Sequence, residues 1–355
     1  MEPSSLDFFK RLLETPGPSG YEQRVQQVVR EYAATFADEI TTDSHGNVML
    51  TVNPDAETTL MFAGHCDQIG LLISYIDDDG YLYAQTIGGW DPQQLIGQQM
   101  TVWTEQGPVA AVISRKPIHL LNEEERKTVV KERDMWLDIG ARDKKQASER
   151  VRVGDPVTLK LGFQPLLNDL ACAPAMDNRT GLWTVVEALR RCRELKPTCK
   201  VVAVSTVQEE IGLRGATTSA FQVQPDVAIA VDVTHATDCP TIDKKQQGQV
   251  SLGSGPVVFR GPNINPRVSS RLRDLASEYA IPIQLAAVAR ATPNDANPIQ
   301  ISRGGVATGL VAIPNRYMHS AVETISLADI DQAANLLAQF AASVTKSCDW
   351  IPRWD

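Results

Sequence analysis

At 355 residues, with 43% hydrophobic and 22% charged side chains, the chain can bury a sizeable core without staples and is neither fibrous nor mainly disordered. Its net charge of −9, with no long lysine or arginine cluster, argues against a nucleic-acid partner. The opening Met1-Glu-Pro-Ser-Ser-Leu-Asp7 lacks a basic region ahead of an apolar run, and no segment reaches the roughly 18 apolar residues of a membrane span. Neither export nor membrane insertion is expected. Cys66, Cys172, Cys192, Cys199, Cys239 and Cys348 are scattered with no C-x-x-C pair, which reads as reduced thiols in a cytoplasmic protein.

Leu6, Phe9, Leu12 and Leu13 repeat at helical spacing after Ser4 and Ser5, and Pro16-Gly-Pro-Ser-Gly20 stops that helix. A second helix carries the stripe Val25, Val28, Val29 and Tyr32. The turn Asp43-Ser-His-Gly-Asn47 then leads into strands over 48–52 and 59–64. From about Leu71 to Leu161 the pattern becomes short β-rich runs over 71–76, 81–87, 100–104 and 109–114, split by glycine turns. This predicts a small β domain inserted into the main one, and the chemistry itself makes no evident demand for it. The charged stretch Asn122-Glu-Glu-Glu-Arg-Lys127 reads as solvated. After Ala175, helices over 180–195, 267–279 and 327–342 alternate with strands over 200–207, 227–233, 283–289 and 306–313. Such alternation predicts an α/β fold, a mixed sheet covered by helices on both faces. The domains are expected at 1–68 and 165–355 for the main body and 69–164 for the insert.

In open α/β sheets ligands collect beyond the carboxyl ends of the strands, and acidic and imidazole groups gather there in this sequence. His65-Cys66-Asp67 ends the run Leu60 to Ala63, and residues two apart on an extended strand share a face. One face then offers an imidazole and a carboxylate while Cys66 points elsewhere. Asp177 opens a helix, where it could face the crevice or simply cap the helix. Glu209 and Glu210 end another strand, and Gly212 lets the backbone turn so that their side chains need not diverge. Adjacent buried glutamates are costly without compensation, and a cation is the simplest compensation. Asp232 ends the run Val227 to Val231, and His319 follows the strand over 306–313. Hard oxygens with imidazoles suit Zn²⁺, Co²⁺ or Mn²⁺. Five protein ligands exceed what one catalytic metal takes, so two metals bridged by a carboxylate fit better; pairs about 3.5–4 Å apart are typical of aminopeptidases.

The chain resembles the tetrahedral (TET), or glutamyl-aminopeptidase-like, family of dinuclear metallopeptidases, also known as deblocking aminopeptidases or cellulase M. The likeness runs nearly end to end through Pro16-Gly-Pro-Ser-Gly-Tyr-Glu22, Gly64-His-Cys-Asp-Gln-Ile-Gly70, Met176-Asp-Asn-Arg-Thr-Gly181, Gln208-Glu-Glu-Ile-Gly-Leu-Arg-Gly215, Val231-Asp-Val-Thr-His-Ala-Thr-Asp238 and Tyr317-Met-His-Ser320. It implies that Asp177 bridges two divalent metals, that His65 and Asp232 complete one site, and that Glu210 and His319 complete the other. It also implies Glu209 as general base and Asp67 as the partner of the second His65 nitrogen. His235 and Asp238 would lie nearby without ligating. Peptides with a free N-terminus would be the substrates, and the insert would build dimers into a hollow dodecamer. The sequence departs from the family pattern at Ala291-Thr-Pro-Asn-Asp-Ala296, a segment that tends to lie near the pocket for the first side chain, at Asn178 for a second Asp, and at Ala321 for Pro.

Two other readings stand beside this one. A carbohydrate hydrolase would need two carboxyls about 5–9.5 Å apart across the scissile bond and no metal cluster. An inactive homologue kept for binding or assembly should have drifted at the base or a ligand, and here all six positions remain.

Overall fold

A computed structural model describes residues 1–353. Helices α1 (Pro3–Glu14) and α2 (Gln23–Ala33) precede strands β1 (Glu39–Thr42), β2 (Val48–Val52) and β3 (Thr59–His65). There follow β4 (Gly70–Ile76), β5 (Leu82–Ile87), β6 (Gln99–Thr104), β7 (Gly107–Ser114), α3 (Glu123–Lys127), β8 (Trp136–Asp138), α4 (Lys144–Ser148) and β9 (Pro156–Leu159). Next come β10 (Gln164–Pro165), β11 (Leu170–Cys172), α5 (Met176–Glu194), β12 (Lys200–Thr206), α6 (Arg214–Val223), β13 (Val227–His235) and α7 (Lys244–Gln247). The chain closes with β14 (Val257–Arg260), α8 (Pro266–Glu278), β15 (Gln284–Ala287), α9 (Ala296–Gln300), β16 (Ala307–Asn315), β17 (Thr324–Ser326) and α10 (Leu327–Ser343).

The main sheet has eight strands in the order β1-β2-β12-β3-β13-β16-β14-β15. Its centre, β12-β3-β13-β16, is parallel, and antiparallel pairs flank it. Side chains alternate between two cores, as the period of a strand requires. Leu60, Phe62, Val201, Ala203, Val227 and Ile229 face the layer of α1, α2, α5, α8 and α10, whereas Met61, Ala63, Val202, Val204, Ala228 and Ala230 face α6 and α9. Helices therefore cover both faces, as the alternation predicted. The insert is a closed barrel of β4-β5-β8-β7-β6-β9 with its own core around Leu71, Ile73, Leu82, Met100 and Val157. Among the described residues no helix is long and apolar enough to cross a membrane, and all six cysteines are unpaired.

Element edges differ from expectation where local signals are weak. Helix α5 begins at Met176 rather than 180, with Asp177 and Asn178 in non-helical conformation inside its first turn. Helix α6 and strand β14 carry no expectation at all. The α6 sequence, Arg-Gly-Ala-Thr-Thr-Ser-Ala-Phe-Gln-Val, is poor in strong helix formers, and tertiary packing of Ala216 and Ala220 against the sheet secures it.

A close approach of β3 to α5 sets the site. A Cβ on Gly64 would stand 2.8 Å from the Gly181 carbonyl and 2.9 Å from the Leu182 nitrogen, so only hydrogen is tolerated between strand and helix. Gly64→Ala should therefore force α5 off β3, at an overpacking cost of about 1–3 kcal/mol. Thermal unfolding tests this: an unchanged melting temperature would mean that the helix does not rest on that contact.

Candidate metal centre

The parallel strands deliver their carboxyl ends to one edge. His65 pairs with Thr206, and Ala63 with Ala230, so Asp232 lies level with His65 two residues further on. His65 continues the row Met61, Ala63 and Asp232 the row Ala228, Ala230, while Cys66 is buried in the opposite core. His65 Nε2 stands 3.2 Å from Asp177 Oδ1, and 3.7 Å from both Glu209 Oε2 and Asp232 Oδ1. His319 Nε2 stands 3.4 Å from Asp177 Oδ2 and 3.5 Å from Glu210 Oε2. Asp177 thus turns one oxygen to each imidazole. It does not cap its helix: Ala175 holds the N-cap position at φ 65°.

All six positions singled out in the sequence converge, together with Asp67. Two sets of ligand atoms gather within 4.8 Å of one another, His65-Glu209-Asp232 and His65-Asp177-Glu210. Neither set contains His319, and Glu209 joins the first. Asp67 lies behind His65, with Oδ1 3.4 Å from Nδ1, and that nitrogen is also 3.2 Å from the Asp67 carbonyl. The Asp67 carboxylate has a second job with no local sequence signal. It accepts the Ser19 hydroxyl at 2.7 Å and the backbone N–H groups of Glu209 at 3.0 Å and Glu210 at 3.2 Å.

The turn that aims both glutamates is not made by Gly212. Strand β12 ends at Thr206, and Gln208 takes the left-handed conformation at φ 55° before the glutamates. Glu22 accepts its N–H at 3.2 Å, and Asn47 accepts the Val207 N–H at 3.0 Å. Gly212 serves afterwards, donating to the Glu209 carbonyl at 2.9 Å to close the loop.

Three groups at the site were not foreseen. The Gly89 carbonyl, from the barrel, lies 2.6 Å from His319 Nδ1. A carbonyl can only accept, so this nitrogen carries the proton and Nε2 is left to face the carboxylates. The barrel therefore reaches the candidate site, a contact that no local signal in the sequence announces. Glu323, 2% exposed, accepts the backbone N–H of Asp177 at 2.9 Å and of His319 at 2.7 Å. Asp295, 3% exposed, accepts the Thr206 hydroxyl at 2.6 Å next to the end of β3; it belongs to the segment flagged as a departure from the family. Asn178 is consumed by structure, donating to the Val231 carbonyl at 2.8 Å and accepting the Gly181 N–H at 2.9 Å. Asp238 pairs with Arg316 at 2.6 and 2.8 Å, and His235 is exposed at the end of β13.

The electrostatics are those of crowded anions. Burial pushes Glu209 and Glu210 well above the ordinary carboxylate range, and it raises Asp232. It lifts Asp295 to about 7 and Glu323 to about 8. Burial opposes ionisation of Asp177 and Asp67 too, but hydrogen bonds outweigh it and both are lowered, Asp177 by His319 and His65 and Asp67 chiefly by His65. Burial pulls His65 down, yet Glu209, Asp177, Asp232 and Asp67 together hold it well above its usual value. His319 is raised chiefly by Asp177. The acidic neighbours thus favour protons on the imidazoles. Glu210 Oε1 is buried with no hydrogen-bond partner. A divalent cation would replace those protons and satisfy that oxygen, so the residues present fit metal ions.

The chain belongs to the M42 glutamyl aminopeptidase family, whose family model matches residues 46–336. It is 36% identical to the lysyl aminopeptidase of Pyrococcus furiosus over 351 residues, which cover 98% of this chain and 99% of that protein. It resembles the crystal structure of a TET aminopeptidase from the marine sediment archaeon Thaumarchaeota archaeon SCGC AB-539-E09, with TM-score 0.92, 35% identity and 97% of each chain covered. The TET1 peptidase of Pyrococcus horikoshii, described as able to assemble into a tetrahedron or a large octahedral shell, is similar at TM-score 0.84 and 31% identity, over 96% of this chain and 100% of that one.

Asp67→Asn keeps the shape but puts an amide where an acceptor of backbone N–H groups is needed. The 209–210 loop should loosen and metal affinity should fall by about 10–100-fold. Calorimetric metal titration, with hydrogen exchange at the Glu209 and Glu210 amides, checks this; wild-type values in both would remove Asp67 from the site.

Proposed function

We propose that the chain is an aminopeptidase that removes the N-terminal residue of short peptides using water activated between two divalent cations, zinc, cobalt or manganese. Asp177 carries the reading, because its two oxygens face different histidines, as a carboxylate shared between two sites must. We assign His65 and Asp232 to one site, Glu210 and His319 to the other, and Asp177 to both. Bound there, the cations would polarise the scissile carbonyl and lower the pKa of water from 15.7 to about 7.

The chain's own groups supply the proton traffic. Glu209 sits 3.7 Å from His65 Nε2, and burial raises its proton affinity, which suits a general base near neutral pH. It takes the proton of the attacking water and returns it to the leaving amine. The surplus carboxylates offer acceptors for the substrate's α-ammonium group. Asp67 holds the His65 ring and the 209–210 loop, and Gly89 orients His319. Carboxylates converging within 4.8 Å on an imidazole leave little room for a sugar ring between an acid and a base, which disfavours a glycosidase.

We further assign residues 69–164 the role of a dimerisation and lid domain inside the main body of 1–68 and 165–355, and a dodecameric shell of such dimers as the working form. Support comes from the closed barrel and from the assembly of the similar TET1 peptidase.

Glu209→Gln should retain both metals and the assembly while kcat falls by about 10²–10⁴-fold with KM little changed. Metal content and kcat are measured on one preparation; a fully active variant, or one inactive only because it is metal-free, refutes the role of Glu209. Chelators should inactivate the wild type reversibly, and amino-acetylated peptides should resist cleavage. Equal rates on blocked and free peptides would replace the exopeptidase reading with an endopeptidase.

A further inference from the structure

We infer that Glu323 is a positioning residue that fixes Asp177 and His319 relative to one another through their backbones. The inference rests on the reading of those two side chains as metal ligands. Asp177 lies at the start of α5 and His319 in the loop between β16 and β17, and no strand pairing connects their N–H groups. The Glu323 carboxylate spans the gap, one oxygen accepting from each at 2.9 and 2.7 Å.

The surroundings show why a carboxylate is used. Asn178 caps the regular part of α5 by accepting the Gly181 N–H at 2.9 Å, and Asp177, non-helical and ahead of that turn, leaves its own N–H to a partner outside the helix. Glu323 supplies that partner from a distant segment, so the buried N–H is not left unpaired. On the other side, Tyr317 and His319 both lie in the left-handed region, at φ 61° and 60°. Residues with a Cβ stay there only when their surroundings fix them. The loop is pinned at its base, where Arg316 and Thr324 exchange backbone hydrogen bonds at 2.9 and 3.0 Å, and at its tip by the His319 N–H on Glu323. Glu323 is itself tied down, its carbonyl accepting the Ala173 N–H at 3.0 Å, three residues before α5 begins. No lysine or arginine of the described residues forms an ion pair with it, so two backbone donors are what its oxygens serve. Glutamine has one acceptor oxygen and would set its amide group against the other N–H.

The test titrates metal-free wild type, Glu323→Gln and Glu323→Ala with Co²⁺, following stoichiometry and the visible absorption of bound cobalt. Hydrogen exchange at the Asp177 and His319 amides and thermal unfolding are recorded on the metal-free proteins, and kcat and KM on an amino-acid anilide at saturating Co²⁺. The variants should fold, and both amides should exchange faster. Both equivalents of Co²⁺ share Asp177 and should weaken, the one without His319 the less. The other, which depends on His319, should weaken by about 10–100-fold in Glu323→Ala and less in Glu323→Gln, with an altered absorption band. At saturation kcat should fall while KM stays within about twofold of wild type. Variants that bind both equivalents with wild-type affinity and spectrum, lose both equally, or are unfolded without metal would overturn the inference alone. Wild type that takes up no Co²⁺ would overturn the reading of the site, and the inference with it.

Discussion

Seven carboxyl groups, those of Asp67, Asp177, Glu209, Glu210, Asp232, Asp295 and Glu323, are withdrawn from water around one crevice that holds two imidazoles. Arg179, buried beside Asp67 and Glu22, is spent on the Leu12 carbonyl and the Gln68 side chain. Concentrating anions in this way is costly unless each is compensated. Five of the seven fall into two kinds by how they are compensated, while Asp232 both faces His65 and accepts the Val233 N–H and Asp295 accepts the Thr206 hydroxyl. Asp67 and Glu323 each take at least two backbone N–H groups, which offset part of the cost of burial, and their effect is to hold loops. Asp177, Glu209 and Glu210 face histidines and accept no backbone N–H, and Glu210 keeps one oxygen without any partner. The holding groups lie behind the facing groups, so the peptide framework supports a layer that a cation would satisfy.

What the sequence made legible follows from this division. Residues that face the crevice stand at the ends of parallel strands, and an apolar run of fixed parity broken by His or Asp marks such a position from one segment alone. His65 and Asp232 were found that way, and the register places them level with each other. Groups that hold other groups carry no such mark. Glu323 and Asp295 look like ordinary loop acids until α5, β12 and the loop after β16 are brought against them, and each acts on a residue at least 89 positions away in the chain. The turn after β12 was misplaced for a related reason. Glycine is the default for a left-handed residue, but Gln208 is held there by acceptors from Glu22 and Asn47, which lie far earlier in the sequence.

The barrel shows the same dependence at a larger scale. From its pattern of short strands it reads as a self-contained insert, and its separate core agrees. Yet its Gly88-Gly89 segment returns to the crevice, where a Cβ on Gly88 would meet Ile69 at 2.5 Å and Glu210 at 3.5 Å. Gly89 fixes the proton on His319. His65 receives the equivalent service from Asp67, within its own strand end. One histidine is oriented from inside the main body and the other from the insert, so a displacement of the barrel bears on the two imidazoles unequally.

The adjacent glutamates show how identical chemistry is given different surroundings. Both are buried carboxyls with raised proton affinity, and both hang from N–H groups bound to Asp67. Because Gln208 reverses the backbone before them, they do not alternate across a strand but open onto one crevice at different points. Glu209 faces His65, with Asp232 and Asp295 as its acidic neighbours; Glu210 lies with Asp177 and Asp67 and reaches His319. A carboxylate whose oxygen meets the shared Asp177 and the second histidine is placed to hold a cation between them. Glu209, with His65 as the one histidine within 4 Å among the described ion pairs, suits the proton exchange proposed for it. The separation of roles proposed for them would rest on one left-handed residue and two hydrogen bonds to Asp67, since the side chains themselves are identical.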